Sequence, residues 1–377
     1  MKKIILAAVS AAAVLAACGG GGNSGETKAK ITSVKVVGAS LADSGTFGYK
    51  FTVQSTTGTP YRVYTDRIAA TYGISNFCSA YSSANGTTFT SNAGCTNHAV
   101  AKGAINYVAD QTSKYSQVQQ LIDAGNAGFG SGDLLIVGEG SANDMSALIT
   151  AFLTARAGSF ATFNSLRNGV SLGASGGNIA SFSAEGVEYV RALADKLTVA
   201  IKANALDKGA TRIAVLNTLD ITKTPQLQAA LVPYGSVAAA DMITLIQTWI
   251  QAYNARLEAN LAPYGSKVAI VDFYTNFNAE MADPAQYGLN DITGTVCDQI
   301  VNAGGTHSPG TVSLATLSVV GACKDSAASA ITPSQGADGT STWWQHYLFA
   351  DGFHPTPYGH QLLAQLVAKR LTEAGWL

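Results

Sequence analysis

The chain has 377 residues, 47% of them hydrophobic and only 12% charged, and its 23 Lys and Arg nearly balance 24 Asp and Glu for a formal net charge of −1. The charged share is about half that of an average soluble domain. With no basic stripe and no acidic block, this composition excludes a nucleic-acid partner and an acidic tail. The length exceeds that of most single domains, but no internal repeat and no second linker interrupts it, so one elaborated domain is the simpler reading.

Lys2 and Lys3 precede an uncharged apolar run from Ile4 to Ala17, which meets small residues at Leu15-Ala16-Ala17-Cys18. The run is too short to span a bilayer and reads as a signal peptide over residues 1–17. A cysteine after Leu-Ala-Ala resembles the bacterial lipobox, which implies acylation of Cys18 and a mature chain anchored to a membrane at that residue. Gly19 after the cysteine resembles outer-membrane sorting, so the expected location is the cell envelope, at the outer membrane, or secretion. An ordinary secretory signal ending near a cysteine is the alternative. Residues 18–30 are Gly-rich without apolar periodicity and read as a flexible tether, leaving 31–377 as the folded domain.

Ser33–Val37 is a β-branched run ending in Gly38, as a buried parallel strand should look. Asp133–Val137 repeats that shape and is followed by a helical pattern from Met145 to Arg156. Thr211–Leu216 and Lys267–Phe273 are further apolar runs, separated by amphipathic stretches at Ala184–Ala205 and Ala239–Leu261. Strands alternating with helices imply a parallel sheet covered on both faces, with reactive groups at the carboxyl ends of the strands. Residues 276–345 are rich in Gly, Ser, Thr and Ala and form a long insertion, the kind of loop that is functional or disordered. Trp343 and Trp344 at its end either line an acyl or ring pocket or pack in the core. The last helix has a clear start, with Thr356 as cap and Pro357 in the first turn.

Setting Cys18 aside leaves Cys78, Cys95, Cys297 and Cys323 in a compartment where disulfides persist. Four cysteines allow three pairings, among which the sequence does not choose. The local choice pairs Cys78 with Cys95 and Cys297 with Cys323.

Two segments carry chemistry. In Gly38-Ala39-Ser40-Leu41 a serine follows the first strand directly, on a turn whose backbone N–H can face a developing oxyanion. In Asp351-Gly352-Phe353-His354-Pro355 an acid and a histidine share one short loop, so that the carboxylate reaches one ring nitrogen while the other faces the serine. Gly173-Ala174-Ser175-Gly176-Gly177 fits the rival Gly-x-Ser-x-Gly elbow, which must follow a core strand. Its lead-in, Asn168 to Leu172, has too few apolar positions for one. His98, His307, His346 and His360 have no acid at matching spacing and read as structural or solvated. No cluster shows metal-ligand spacing, and no cofactor is expected.

With these segments in hand, the sequence resembles the SGNH, or GDSL-like, hydrolase family of lipases and esterases. Four blocks match in the family's order: Gly38 to Gly45, Asn97 to Ala104, Gly140 to Asp144, and Asp351 to Pro355. The resemblance implies an α/β class, three-layer α/β/α fold with a flavodoxin-like parallel sheet. It also implies ester hydrolysis through an acyl-enzyme, with Ser40 as nucleophile, His354 as base, Asp351 orienting it, and Ser40, Gly103 and Asn143 as oxyanion donors. The expected substrate is a small-molecule or lipid ester. The alternatives are a polysaccharide O-acetyl esterase and a binding protein that keeps the fold without turnover. Three departures stand out: Ala39 replaces the family's aspartate, Ser141 replaces a glycine, and the spacing from Asn97 to Gly103 in the second block is one residue longer than the family's.

Overall fold

The apolar runs become the strands of a central sheet. The computed structural model describes residues 30–139, 141–301, 323–332 and 339–377. The expected signal peptide, Cys18, the expected tether up to residue 29, Gly140 and His307 lie outside the described residues. The strands are β1 (Ser33–Val37), β2 (Tyr81–Ser82), β3 (Thr90–Ser91), β4 (Asp133–Val137), β5 (Ile213–Leu216), β6 (Val268–Val271), β7 (Asp291–Thr295) and β8 (Tyr347–Phe349).

Four of them form one parallel sheet in the order β1-β4-β5-β6. Its strands are almost wholly buried, which is why they read as continuous apolar runs rather than alternating ones. On the far side of β1, Val36 donates its N–H to Thr96 O at 3.1 Å and accepts from His98 N–H at 2.7 Å. This parallel bridge at Asn97 sets the second block beside β1 and completes the flavodoxin-like order. Helices Tyr64–Thr71 and Pro357–Glu373 pack together as one outer layer, and Gln117–Gly125, Phe182–Asn204 and Gly235–Leu261 form the other. The fold is a three-layer α/β/α sandwich, as expected.

The helical stretch Pro225–Tyr264 is long and apolar enough to cross a bilayer. Within it Met242, Ile246, Trp249, Ile250 and Tyr253 are buried, and Trp249 Nε1 donates to Ser183 O at 3.2 Å. Those contacts turn the buried face of this helix towards the helix Phe182–Asn204.

The described parts of 276–345 are not bare loop. They hold β7, which pairs in parallel with β8, and helices Val296–Val301 and Asp325–Ser329. Cys297 joins Cys323, and Cys78 joins Cys95, so both local pairs are present. Trp343 and Trp344 are buried in a separate apolar cluster with Val53, Val296 and the second disulfide. Their indole N–H groups donate to Ala328 O at 2.9 Å and Ser329 Oγ at 3.1 Å, so they pack rather than line a pocket.

In the last helix Thr356 Oγ1 accepts from Gly359 N–H at 3.1 Å, the cap its sequence announces. On the same helix His360 is fully buried and donates from Nε2 to Phe51 O at 3.1 Å. Burial holds this imidazole neutral, lowering its pKa from 6.5 to about 3. The unfolded chain takes up the proton below 6.5 and the folded chain does not, so this histidine lowers stability as pH falls from 6.5 towards 3. Relative to His360→Gln, the wild type should therefore lose about 2 kcal/mol of its stability advantage between pH 7 and pH 5. Denaturant unfolding of both proteins at the two pH values measures this, and an unchanged difference would contradict the assignment.

Candidate active site

The parallel register of β1 and β4, with Val37 opposite Val137, brings two strand ends side by side. Gly38 N–H donates to Gln120 Oε1 at 2.8 Å, and the chain then turns sharply, with Ala42 N–H returning to Ala39 O at 3.1 Å. Ser40 stands on this turn at the carboxyl end of β1, where an open α/β sheet presents its reactive groups. Asp43 braces the far side of the turn. Its Oδ1 accepts from Gly45 and Thr46 N–H, at 2.9 and 2.8 Å, and its Oδ2 from Ala101 N–H at 3.0 Å. Asn97 adds a second tie, donating from Nδ2 to Ala42 O at 2.7 Å.

Between β8 and the last helix, residues 351–354 form a closed loop in which Ala350 N–H donates to His354 O at 2.7 Å. Gln226 N–H holds the loop from outside, donating to Gly352 O at 2.8 Å. Asp351 Oδ1 accepts from Phe353 N–H at 2.9 Å and His354 N–H at 2.7 Å. His354 Nδ1 lies 2.8 Å from Asp351 Oδ2, and its Nε2 lies 2.8 Å from Ser40 Oγ. Burial works to raise the Asp351 pKa, but the facing imidazole and these hydrogen bonds hold it below the ordinary aspartate value. An ionised Asp351 only accepts, which makes Nδ1 the protonated nitrogen and leaves Nε2 to accept from the Ser40 hydroxyl. Phe51, fully buried, packs its ring 4.9 Å from the His354 ring, and Thr52 Oγ1 donates to Pro355 O at 2.9 Å. The imidazole is thus fixed on one face by packing and at both nitrogens by hydrogen bonds.

The third block opens the helix Ala142–Arg156 directly after β4. Asn143 Nδ2 donates to Gly103 O at 2.8 Å, and one amide hydrogen remains for a second acceptor. Asp144, fully buried, accepts from Ile105 and Asn106 N–H at 2.9 Å each, which ties the second block to the third. Burial raises its pKa to about 7. Ser141, at the family's glycine position, hydrogen-bonds the Thr218 hydroxyl.

Gly103 is placed differently from the expectation. Its N–H is committed to Val100 O at 2.8 Å, so it is not available to an oxyanion. Its need for glycine is steric: a Cβ there would lie 2.5 Å from Gly38 O and 2.9 Å from Val100 O. Its carbonyl instead orients Asn143. The residue before it, Lys102, has φ 68°, a left-handed conformation that costs a non-glycine residue energy and recurs at functional sites. The Lys102 N–H has no partner among the described residues. In the longer second block the amide without a partner is thus that of residue 102 rather than 103, which spacing alone did not reveal.

Ser175 sits on a loop after the helix Ala161–Gly169, with no strand before it. Its N–H donates to Asn164 Oδ1 at 2.8 Å, and its Oγ accepts from Gly177 N–H at 3.2 Å. It lacks the strand-to-helix turn of an elbow. His98 is held 3.1 Å from Tyr81 Oη and driven by burial to a pKa of about 4. His346 rests on Gly288 O at 3.2 Å. Among the described residues no group of three or more His, Cys, Asp or Glu is placed to hold a metal ion.

Two buried residues of the site escaped sequence reasoning: Gln120, which receives Gly38 N–H, and Glu139, whose Oε1 accepts from Ala39 N–H at 3.1 Å and Leu41 N–H at 2.9 Å. Neither belongs to a block, and only the pairing of β1 with β4 and the packing of the helix Gln117–Gly125 bring them to the turn. Compared with known families, residues 34–367 match the GDSL-like Lipase/Acylhydrolase model. No curated protein matches the sequence.

Proposed function

The chain belongs to the GDSL-like lipase/acylhydrolase family, a family of ester hydrolases, and from that premise we propose that it cleaves carboxylic esters through an acyl-enzyme on Ser40. The observation that carries this reading is the unbroken line of hydrogen bonds from Asp351 through His354 to Ser40 Oγ, each 2.8 Å long. His354 Nε2 takes the Ser40 proton as Oγ attacks the ester carbonyl carbon. The tetrahedral oxyanion is received by Ser40 N–H, Lys102 N–H and Asn143 Nδ2. As the carbonyl re-forms, the ester C–O bond breaks and His354 returns its proton to the departing alkoxide. Water then repeats the sequence on the acyl-enzyme and releases the acid.

Lipid esters are the proposed substrates, in keeping with a chain tethered to a membrane through acylated Cys18. A panel of acyl esters of graded chain length, run beside acetylated polysaccharides, tests the substrate. Turnover confined to acetylated sugars would replace the lipid reading with that of an O-acetyl esterase. Turnover of nothing, with no labelling by a fluorophosphonate, would make the protein a binding member of the family.

The anchor has its own test. Cys18→Ser should move the protein from the membrane fraction to the soluble fraction, because the acyl chains that make anchoring stable are gone. Unchanged membrane association would remove the lipoprotein reading and, with it, the proposed outer-membrane location.

A further inference from the structure

Ala39 leaves the nucleophile's neighbour without the carboxylate that the family motif carries there, yet the turn is not left unbraced. β1 and β4 run in parallel register to Val37 and Val137 and stay together one residue further, where Gly138 N–H donates to Val37 O at 2.8 Å. Glu139 is therefore the first side chain of the neighbouring strand's exit that can reach the turn. Its Oε1 accepts from the N–H groups on both sides of the nucleophile, Ala39 at 3.1 Å and Leu41 at 2.9 Å. Among the described residues the Ser40 N–H between them has no partner, which leaves it for the oxyanion. One carboxylate oxygen thus fixes the turn before and after the serine without competing for the serine's own amide.

The placement is costly. Glu139 is 2% exposed, and among the described residues its buried Oε2 has no partner, nor has the nearby buried Tyr64 hydroxyl. Burying a carboxyl with one oxygen unsatisfied opposes folding, and departures of this kind concentrate at functional sites. We propose that Glu139 is the positioning residue of the nucleophile turn, supplying from the end of β4 the carboxylate that this chain lacks at position 39. The inference rests on the reading of Ser40 as nucleophile.

The role needs an acceptor at Oε1, not a charge. Burial raises the Glu139 pKa to about 7, so both forms are populated near neutrality, and a proton carried on Oε2 leaves Oε1 free to accept. An amide of the same shape should serve as well, whereas a side chain of the same length without an acceptor should release the turn. Misplacing a nucleophile by a fraction of an ångström lowers the rate per site without preventing folding.

The test compares Glu139→Gln with Glu139→Met in the full-length protein, using a short p-nitrophenyl ester and a fluorophosphonate probe followed to completion. Glu139→Gln should stay within about threefold of wild-type kcat. Glu139→Met should lose at least about tenfold in kcat and in labelling rate, with KM within about twofold and labelling still reaching one probe per chain. A purely structural role would reduce the number of sites labelled and leave the rate per labelled site at the wild-type value, which would overturn the proposal. So would Glu139→Gln falling as far as Glu139→Met, since the acceptor is then not what matters. Should Glu139→Met fold poorly, Glu139→Leu is read by the same per-site rate. Ser40→Ala separates the two levels of inference: if it still labels, the Ser40 reading fails. If it does not label while Glu139→Met keeps the wild-type rate, only the role of Glu139 fails.

Discussion

Ser40→Ala should abolish fluorophosphonate labelling and lower kcat by a factor on the order of 10⁶, with His354→Ala nearly as severe. The reason is that the hydroxyl and the imidazole perform one act. Ser40 Oγ is a poor nucleophile until Nε2, 2.8 Å away, accepts its proton, and Nε2 has nothing to accept once Oγ is gone. The two effects therefore should not add: the double variant should be about as slow as either single one, with residual turnover left to the oxyanion donors and to substrate binding. Ser175→Ala is the internal control and should leave turnover near wild type, because Ser175 follows a helix and stands on no strand-end turn. The reverse pattern, a silent Ser175→Ala beside an active Ser40→Ala, would replace this site with an α/β-hydrolase elbow.

Asn143→Ala should cut kcat by roughly a hundred- to a thousandfold, or about 3 to 4 kcal/mol of transition-state stabilisation, while KM changes little. Among the described residues the side chain makes no hydrogen bond to the triad, so labelling should still go to completion, only more slowly. The size of the effect comes from orientation. The Gly103 carbonyl, 2.8 Å from Nδ2, holds the amide in place before substrate arrives, so no reorganisation is needed when charge develops on the ester oxygen. A loss below about threefold would remove Asn143 from the oxyanion site and leave the backbone amides of Ser40 and Lys102 to hold it.

How much of the fold and the site was legible in the sequence depends on the range of each interaction. The strands announced themselves because a parallel sheet covered on both faces demands unbroken apolar runs, as in Asp133–Val137. The last helix did so because Thr356 and Pro357 act on the backbone within one turn. Asp351 and His354 were readable together because one short loop holds both. By contrast, the strand bridge at Asn97 is only one residue long and has no apolar period to betray it.

What the sequence by itself determined was the alternation of strands and helices, the acid and histidine on one loop, and a serine at a strand end. Only the tertiary structure decided that Ser40 and His354, 314 positions apart, lie within a hydrogen bond of one another. It also decided that Gly103 turns its N–H inward to Val100, that Lys102 takes the left-handed φ beside it, and that Glu139 fills the place Ala39 leaves. Gly103 and Lys102 are set within one local turn, whereas the pairing of Ser40 with His354 and the reach of Glu139 share one physical reason. A residue's local propensities are written in its neighbours along the chain, whereas the partner of a buried N–H or carboxylate is set by the register of strands far apart in sequence. For Glu139 it is β1 beside β4 that fixes this register, and no spacing rule within either strand contains it.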